Sequence, residues 1–368
     1  MAPRPSAFPP IRPRCYEPSS RRALNLTPDE FTALDLLSEG PRISYKELFS
    51  PHNDLPKRLQ QWACSRGVTL RSLKPRSRVR GTRTQKLLFG LEDGYAIESV
   101  LIRRRDGHTA CISSQVGCAF ACRFCASGQA GLKRNLTADE IVEQVVRLGP
   151  KVNRIVFMGI GEPLNNYANV LKAIRILRER SGMAFPTSGI TISTIGIPKA
   201  LRALREEHLA INLTISLHAT THETRSRLIP GAQKHDLAEV IQHALSWAKR
   251  HNRIVTFVYL LLPGYNDTRA DLNRLCEMFA GQPARINLMR WNPVQGIALP
   301  RTEDHTLAYF RTELDKSGIA TVVRDTQGHD ITAACGQLWL RDFKGQPITP
   351  QRTKAHGGQK TTVSRARR

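Results

Sequence analysis

The chain has 368 residues, with 55 Lys and Arg against 31 Asp and Glu, so its net charge is +24 and its pI is about 10.3. Such a basic surface favours a polyanionic partner, because cationic side chains release counterions when they contact phosphates. A membrane partner is disfavoured, since no apolar stretch approaches the roughly 20 residues of a spanning helix and no lipidation motif is present, which makes nucleic acid the preferred partner.

Residues 1–24 are predicted to form a disordered basic arm, because prolines at positions 3, 5, 9, 10, 13 and 18 disfavour an amphipathic helix. Residues 25–67 are predicted to form a small helical N-terminal module. One helix opens at Thr27-Pro28-Asp29-Glu30 and stops at Gly40, and a second spans Leu55 to Arg66 and ends at Gly67.

Residues 68–103 are predicted to form a basic linker and a β-hairpin. Arg76, Arg78 and Arg80 alternate, so on an extended segment they share one face. That face is either a charged edge that resists aggregation or an RNA-binding stripe that follows phosphates. After it, two apolar runs flank the turn 92–94, which predicts a hairpin with Glu98 on its second strand.

Residues 104–340 alternate between apolar runs and helical patterns, which predicts an α/β fold with a parallel sheet and outer helices. The runs lie near 109–113, 154–158, 189–193, 211–217, 254–262 and 285–289. Six βα units fall short of the eight in a closed barrel, so periodicity leaves a partial barrel and an open doubly wound sheet as alternatives. Residues 341–368 are predicted to be a basic disordered tail.

A cysteine cluster, Cys118-Ala-Phe-Ala-Cys122-Arg-Phe-Cys125, follows the first of these strands and holds three of the chain's eight cysteines. Three thiolates can bind three irons of a 4Fe–4S cluster and leave the fourth iron open. A zinc site needs a fourth ligand, usually from a second close pair, and none follows. A disulfide framework is disfavoured in a long chain without a secretory signal.

This CxxxCxxC spacing resembles the signature of the radical S-adenosylmethionine (SAM) enzymes. Flanking motifs, found between about Gly81 and Leu338, resemble the RlmN/Cfr family of RNA adenosine methyltransferases. These motifs are Cys111-Ile-Ser-Ser-Gln-Val-Gly-Cys118, Gly161-Glu162-Pro163 and Ala334-Cys335-Gly336-Gln337-Leu338. The resemblance implies a partial (β/α)6 barrel and a cytoplasmic enzyme that uses a 4Fe–4S cluster and two SAM molecules per turnover.

The carboxyl ends of the strands, where α/β sheets bind ligands, carry the residues that the resemblance implies as SAM contacts. They are Gly161, Glu162, Ser193, Ser216, Leu217, His218 and Asn292. Glu162 can accept a hydrogen bond from the SAM ammonium. A lone histidine such as His218 is more often a core residue, and its place beside Ser216 favours ligand contact.

The resemblance also assigns catalytic roles. Adenine carbons 2 and 8 are electrophilic, so SAM cannot transfer a methyl cation to them directly. The resemblance implies that one SAM methylates Cys335, and that a radical from a second SAM converts the S-methyl group into a methylene radical that adds to the ring. Glu98 would accept the ring proton, and Cys111 would release the product through a transient disulfide with Cys335.

The sequence does not decide whether carbon 2 or carbon 8 of adenine is methylated. Residues 132–137 and 192–196 resemble Cfr, whereas Gly161-Glu162-Pro163 is shared with RlmN. Alternatives are an iron–sulfur RNA-binding protein or sensor without methyl transfer, and a radical SAM enzyme for another substrate, which the charge disfavours. We expect a monomer that modifies an unstacked adenosine in 23S rRNA, with tRNA as a second candidate, and that receives electrons from a flavodoxin or ferredoxin.

Overall fold

The computed structural model describes residues 21–36, 41–51, 55–324, 327–342 and 345–347. Its first elements are β1 (Arg21–Arg22), α1 (Pro28–Leu36), α2 (Lys57–Ser65) and β2 (Val68–Thr69), which pairs with β1 in parallel. Phe31 of α1 stacks on Trp62 of α2 with ring centroids 5.4 Å apart. Both predicted N-terminal helices are confirmed, whereas Gly40 and residues 1–20 lie outside the described residues. The predicted disordered arm is wrong for residues 21–24, because residues 21 and 22 form β1 and the next two side chains are buried.

A group of four antiparallel strands, which we name the antiparallel flank, follows these helices. It consists of β3 (Lys74–Arg80), β4 (Thr84–Gly90), β5 (Tyr95–Arg104) and β6 (Gly107–Cys111), each paired with the next. The predicted hairpin is confirmed, because β4 and β5 pair and place Glu98 opposite Leu88. Gly94 in its turn has a φ of +86°, a conformation that favours glycine.

A parallel sheet continues from β6 and forms the predicted partial barrel. The remaining elements are β7 (Gln115–Val116), β8 (Arg134–Asn135), α3 (Ala138–Leu148), β9 (Val152–Phe157), α4 (Tyr167–Arg178), β10 (Ile190–Thr194), α5 (Pro198–Glu206), β11 (Asn212–Ser216), α6 (His222–Leu228), α7 (Leu237–His251), β12 (Val255–Leu261), α8 (Arg269–Phe279), β13 (Ala284–Arg290), α9 (Asp304–Lys316), β14 (Ala320–Val323) and β15 (Arg341–Asp342). β6 and β9 to β14 pair in parallel in chain order. The six predicted parallel strands are confirmed, and β14 is an additional edge strand.

Helix caps and buried strands position the loops at the carboxyl edge of this sheet. Thr137 and Glu140 form a capping box at the start of α3, and the Asp236 carboxylate accepts from the Glu239 amide at 3.0 Å at the start of α7. Ile192 of β10 is fully buried in the core. Because the parallel strands all end at one edge, the loops that follow them meet there.

The C-terminal part of the described chain returns to the antiparallel flank. β15 pairs antiparallel with β5, with Arg341 opposite Ala96. The predicted disordered tail is therefore wrong for residues 341 and 342. β6 pairs only with the second half of β5, which leaves the edge at Ala96 available for another strand. Residues 348–368 of the predicted tail lie outside the described residues. In the parts of the chain that the structure describes, we find no helix with the length and apolarity needed to span a membrane.

Candidate active site

The three clustered cysteines line one cavity at the carboxyl edge of the parallel sheet. We name it the cysteine cavity, since Cys118, Cys122 and Cys125 all contribute to its wall, and its volume is about 170 Å³. The other sequence-predicted residues in its wall are Gly161, Glu162, Ser193, Ser216, His218, Asn292 and Cys335. The fold thus brings together residues from five different strand ends.

Close backbone contacts hold the loop that carries the three thiols. A Cβ atom at Gly231 would lie 2.5 Å from the Phe120 Cα, and the Gly231 amide donates to the Phe120 carbonyl at 3.0 Å. A Cβ atom at Gly128 would lie 2.9 Å from the Ala121 Cα. Glycine is needed at both positions, because a side chain would push the loop away from its neighbours.

Burial raises the pKa of all three loop thiols, to about 12 for Cys118. Such thiols bind a metal by releasing their protons to solvent. Within the described ranges, no three His, Cys, Asp or Glu side chains surround a single-ion position. A 4Fe–4S cluster does not need several ligands around one ion, because each thiolate binds a separate iron. Three sulfur donors on one short loop fit that group.

Glu162 lies in the cavity wall with its carboxylate held by three donors. The carboxylate accepts from Thr194 Oγ1 at 2.5 Å, from the Ile195 amide at 2.8 Å and from the Leu164 amide at 3.0 Å. Burial raises the pKa of Glu162 to about 7, although these hydrogen bonds and the Arg225 guanidinium act in the opposite direction. A carboxylate can accept about four hydrogen bonds, so one position is left for an ammonium group.

His218 is buried beside the loop that carries the three clustered cysteines and is neutral. Its Nδ1 accepts from the Leu260 amide at 3.1 Å, and its ring contacts Phe124 edge-on at 4.9 Å between centroids. Burial, helped by the nearby Arg225, lowers the pKa of His218 to about 3. Because Nδ1 is the acceptor, the proton is assigned to Nε2, which makes His218 a hydrogen-bond donor to a ligand.

The other predicted SAM contacts divide into two groups. Ser193, Ser216 and Asn292 line the cysteine cavity, whereas Leu217 does not. Leu217 is fully buried, and its amide donates to the Val258 carbonyl at 3.0 Å. Because neighbouring residues of an extended chain point to opposite faces, Ser216 and Leu217 cannot both face the cavity. The Leu217 side chain therefore does not line the cavity, and a SAM contact by this residue stays a prediction.

Cys335 lines both the cysteine cavity and a second, wider cavity. The segment that contains Cys335 is hydrogen-bonded to the loop that carries the three clustered cysteines, which we call the cysteine loop, because the Gly336 carbonyl accepts from the Ala126 amide at 2.7 Å. The Asn292 side chain donates to the Cys335 carbonyl at 2.9 Å. These contacts keep the Cys335 thiol beside the cavity of the three loop cysteines.

The wider cavity, which we name the arginine cavity, has a volume of about 790 Å³ and contains Cys111 as well as Cys335. Its arginines are Arg83, Arg103, Arg104, Arg105 and Arg324. Burial, with a smaller contribution from the neighbouring Cys335, raises the pKa of Cys111 to about 12. The seven cysteines that the structure describes are free thiols, so the Cys111–Cys335 disulfide stays a prediction.

Glu98 is placed apart from Cys111 and Cys335. Its buried carboxylate accepts from the Trp339 amide at 2.9 Å and from Arg341 Nε at 3.0 Å, and it pairs with Lys86 at 3.1 Å. It contributes to a third cavity, which we name the Glu98 cavity and which contains neither Cys111 nor Cys335. Val100, two residues further along β5 and on the same face, lines the arginine cavity. The segment that includes Trp339 and Arg341 therefore covers Glu98, and its role as proton acceptor stays a prediction.

Arg76, Arg78 and Arg80 are all exposed on β3. A bulge at Arg76 shifts the register of β3 against β4, and Arg76 lines the Glu98 cavity together with Ser77 and Val79. Arg78 and Arg80 alternate with those residues and point to the other face. The prediction of one shared face is therefore wrong for Arg76, because the extra residue of a bulge interrupts the alternation. RNA binding by these arginines stays a prediction.

Two further residues, which the sequence did not single out, belong to the site. Arg324 lines both the cysteine and the arginine cavities, and its Nη1 lies 3.6 Å from Met158 Sδ. The Gln115 side chain accepts from the Glu162 amide at 2.8 Å. Recognition of β14 would have pointed to Arg324, which follows the carboxyl end of that parallel strand. No local pattern marks Gln115.

Similarity to known proteins agrees with this arrangement. A family model described as the Radical SAM superfamily matches residues 112–276. A "Probable RNA methyltransferase" of Rhodopseudomonas palustris (strain BisB5) is 69% identical over 340 residues, which cover 92% of this chain and 94% of that protein. A "Probable dual-specificity RNA methyltransferase RlmN" of Dictyoglomus turgidum is 42% identical over 275 residues, with coverages of 72% and 79%.

A solved structure has the same fold. The crystal structure of a radical SAM methyltransferase from Sphaerobacter thermophilus matches with a TM-score of 0.73 and 38% identity, over 77% of this chain and 86% of that chain. In the structure described above, three clustered thiols lie at the strand ends and Cys335 lies between two cavities. The chain belongs to the RlmN/Cfr family of radical SAM RNA methyltransferases.

Proposed function

We propose that this protein methylates carbon 2 of an adenosine in RNA and that Cys335 carries the methyl group. The observation that supports the proposal most directly is the position of Cys335, which lines both the cysteine cavity and the arginine cavity. A thiol between two cavities can receive a group in one and deliver it in the other. The RlmN name of several relatives supports carbon 2, and carbon 8, the Cfr-like product, is the alternative.

Cys118, Cys122 and Cys125 are the proposed ligands of the 4Fe–4S cluster that membership of the radical SAM superfamily implies. When bound, the cluster supplies the electron that cleaves SAM reductively to a carbon radical.

Glu162, His218 and the two serines are the proposed SAM contacts. The remaining acceptor position of the Glu162 carboxylate suits the SAM ammonium, and the Nε2–H of His218 suits an oxygen acceptor. Ser193 and Ser216 place hydroxyls in the same wall, where they can bind ribose oxygens. Gly161 lets its own backbone lie close to the Gln115 side chain, since a Cβ atom at Gly161 would be 2.5 Å from Gln115 Cβ.

Cys335 and Cys111 divide the transfer between them. The Cys335 sulfur loses its proton and takes a methyl group from one SAM molecule. After one hydrogen atom of that methyl group passes to the SAM-derived radical, the methylene radical on Cys335 bonds to the ring carbon. The adduct then loses the ring proton and one electron, which a bound 4Fe–4S cluster, oxidised in the cleavage of SAM, would accept. Cys111 attacks the Cys335 sulfur, the sulfur–methylene bond breaks, and the methylene takes a proton to become the product methyl group.

Glu98 is the proposed acceptor of the ring proton. In the described conformation its carboxylate is occupied by Trp339, Arg341 and Lys86. The proton transfer therefore requires that the segment with Trp339 and Arg341 moves away. That movement would open Glu98 to the face of β5 on which the arginine cavity lies.

The arginine cavity is the proposed RNA site. A volume of about 790 Å³ suits a nucleotide-sized ligand, and the apolar side chains of Val100 and Ile102 can pack on a base. Arg83, Arg104 and Arg105 are exposed at this cavity and can contact flanking phosphates. The base must leave its stack to reach Cys335, so we propose a loop of 23S rRNA as the substrate, with tRNA as a second substrate.

The same chain contains both cavities, so a monomer suffices for the proposed reaction. Free thiols and an iron–sulfur cluster suit a reducing cytoplasm. A flavodoxin or ferredoxin there can supply the single electrons that SAM cleavage consumes.

Mass spectrometry of nucleosides from RNA treated with anaerobically reconstituted enzyme tests the product. We expect 2-methyladenosine, and 8-methyladenosine would contradict the choice of carbon. Cys335→Ala should bind RNA without forming a covalent adduct or methylating it. Cys111→Ala should consume SAM for one round and then stall as a stable protein–RNA crosslink.

The matched control is Cys276→Ala, which removes a thiol on α8 that lines neither cavity. It should methylate as the wild type does. If neither Cys335→Ala nor Cys111→Ala traps RNA and both still methylate it, the two-cysteine mechanism is wrong for this protein.

A further inference from the structure

A buried arginine lies behind the cysteine cavity and takes no part in the reaction proposed above. The Arg225 side chain, on α6, is 1% exposed. Its Nε donates to the Leu217 carbonyl at 3.2 Å, and its Nη2 donates to the carbonyls of Ile195 and Ser216. No carboxylate within ion-pair distance is found among the described residues, and Nη1 has no hydrogen-bond partner there.

Burial of a guanidinium without a paired carboxylate is unfavourable, because its charge loses the solvation of water. The three carbonyl contacts tie together the ends of β10 and β11, but neutral donors could make contacts of the same kind. The charge itself therefore calls for an anionic counterpart near Arg225 that the protein chain does not supply as an ion pair.

The negative charges that Arg225 faces belong to the cysteine cavity. The Ile195 peptide connects it to Glu162, because its carbonyl accepts from Arg225 while its amide donates to the Glu162 carboxylate at 2.8 Å. Helix α6, which carries Arg225, also contacts the cysteine loop directly, because the Arg123 amide donates to the Leu228 carbonyl at 3.0 Å. Arg225 thus lies on an element that packs against the loop, where its charge can act on the loop thiolates.

We propose that Arg225 is a positioning residue for the cluster, which supplies the buried positive charge that balances its thiolates and raises its reduction potential. This inference rests on the proposed ligation by Cys118, Cys122 and Cys125. Reduction adds one negative charge to the site. A cation nearby stabilises the reduced form more than the oxidised form, since net charge and surroundings set the potential of such clusters.

The test is a redox titration of the reconstituted protein, followed by electron paramagnetic resonance, without SAM or RNA. We expect a more negative midpoint potential for Arg225→Gln, which keeps a donor and loses the charge, and a potential near that of the wild type for Arg225→Lys. Arg227→Gln is the matched control, because Arg227 is an exposed arginine of the same helix that lies over Tyr265 at 5.6 Å. It should leave the potential unchanged.

An unchanged potential in Arg225→Gln that carries a full cluster overturns the inference. If that variant does not assemble a cluster, Glu162→Gln provides the second measurement. At pH 8, where the Glu162 carboxyl carries its charge, removal of this negative charge on the other side of the Ile195 peptide should raise the midpoint potential, and no change there also overturns the inference. Iron and sulfide analysis of the wild type and of Cys122→Ala tests the ligand assignment separately, and RNA methylation with dithionite as reductant tests the proposed function separately.

Discussion

Replacement of Glu162 by Gln should remove a pH dependence from the stability of the cluster-free protein. Burial raises the pKa of Glu162 from 4.5 to about 7. Between these values the folded state keeps a proton that the unfolded state releases, so the free energy of unfolding falls as the pH rises through this window. At about 1.4 kcal/mol for each pH unit, the loss amounts to about 3 kcal/mol between pH 4.5 and pH 7.

Urea unfolding of the two cluster-free proteins between pH 5 and pH 8 measures this effect. The Gln amide nitrogen cannot accept a hydrogen bond, so the variant loses part of the contact with Thr194 and Ile195 at every pH. Only the slope of the unfolding free energy against pH isolates the ionisation of Glu162. Buried thiols with a raised pKa, such as Cys118, do not titrate in this range. Glu277→Gln, an exposed carboxylate on α8, is the control, because water solvates it in both states. Equal slopes for the wild type and Glu162→Gln would refute the reasoning.

The same ionisation should control SAM binding by the reconstituted enzyme. Between pH 6 and pH 7.5 the Glu162 carboxyl gains its charge, while an α-amino group stays largely protonated below about 7.7. SAM affinity should therefore rise with pH in the wild type. In Glu162→Gln it should be weaker and nearly independent of pH, and isothermal titration would show this.

Three further predictions concern other parts of the site. Cys122→Ala should lose cluster iron and reductive SAM cleavage, and robust cleavage by that variant would contradict the ligand assignment. Neutralisation of Arg78 and Arg80 should reduce the salt dependence of RNA affinity, with a log–log slope smaller by about 0.9 for each phosphate that the protein no longer neutralises; an unchanged slope in filter binding would leave these arginines a solubility role only. Arg341→Gln should weaken the cover over Glu98 by about 1–3 kcal/mol, because a buried charged hydrogen bond is removed. Hydrogen exchange of the Trp339 amide should then be faster, and an unchanged rate would argue against the cover.

The parallel strands could be predicted because their apolar runs are buried in the barrel, as Ile192 of β10 shows. β14 gives a weaker signal for a physical reason. It has four residues, it lies at the edge of the sheet, and Val322 is 48% exposed. An edge strand needs fewer apolar side chains, so its sequence resembles a loop.

The cysteine cavity could be predicted because its three clustered cysteines are close together in sequence and the other predicted lining residues follow strand ends. The surroundings of Glu98 could not, since its partners Trp339 and Arg341 are 241 and 243 residues away. Arg225 was also missed, because a single arginine in a short polar helix gives no sign that it will be buried. Long-range packing decides these positions, and no local pattern records it.

The cover over Glu98 has a consequence for the order of the proposed steps. One short segment carries Cys335, binds the cysteine loop through the Gly336 carbonyl and occupies Glu98 through the Trp339 amide. While Cys335 lies beside the cysteine cavity, where it would be methylated, Glu98 is therefore closed to a substrate base. Release of Trp339 from Glu98 must accompany the delivery of the methylene to adenine, if Glu98 is to accept the ring proton. The position of a single segment thus separates the methylation of Cys335 from the removal of the ring proton. It also keeps the Glu98 carboxylate covered until the RNA has entered.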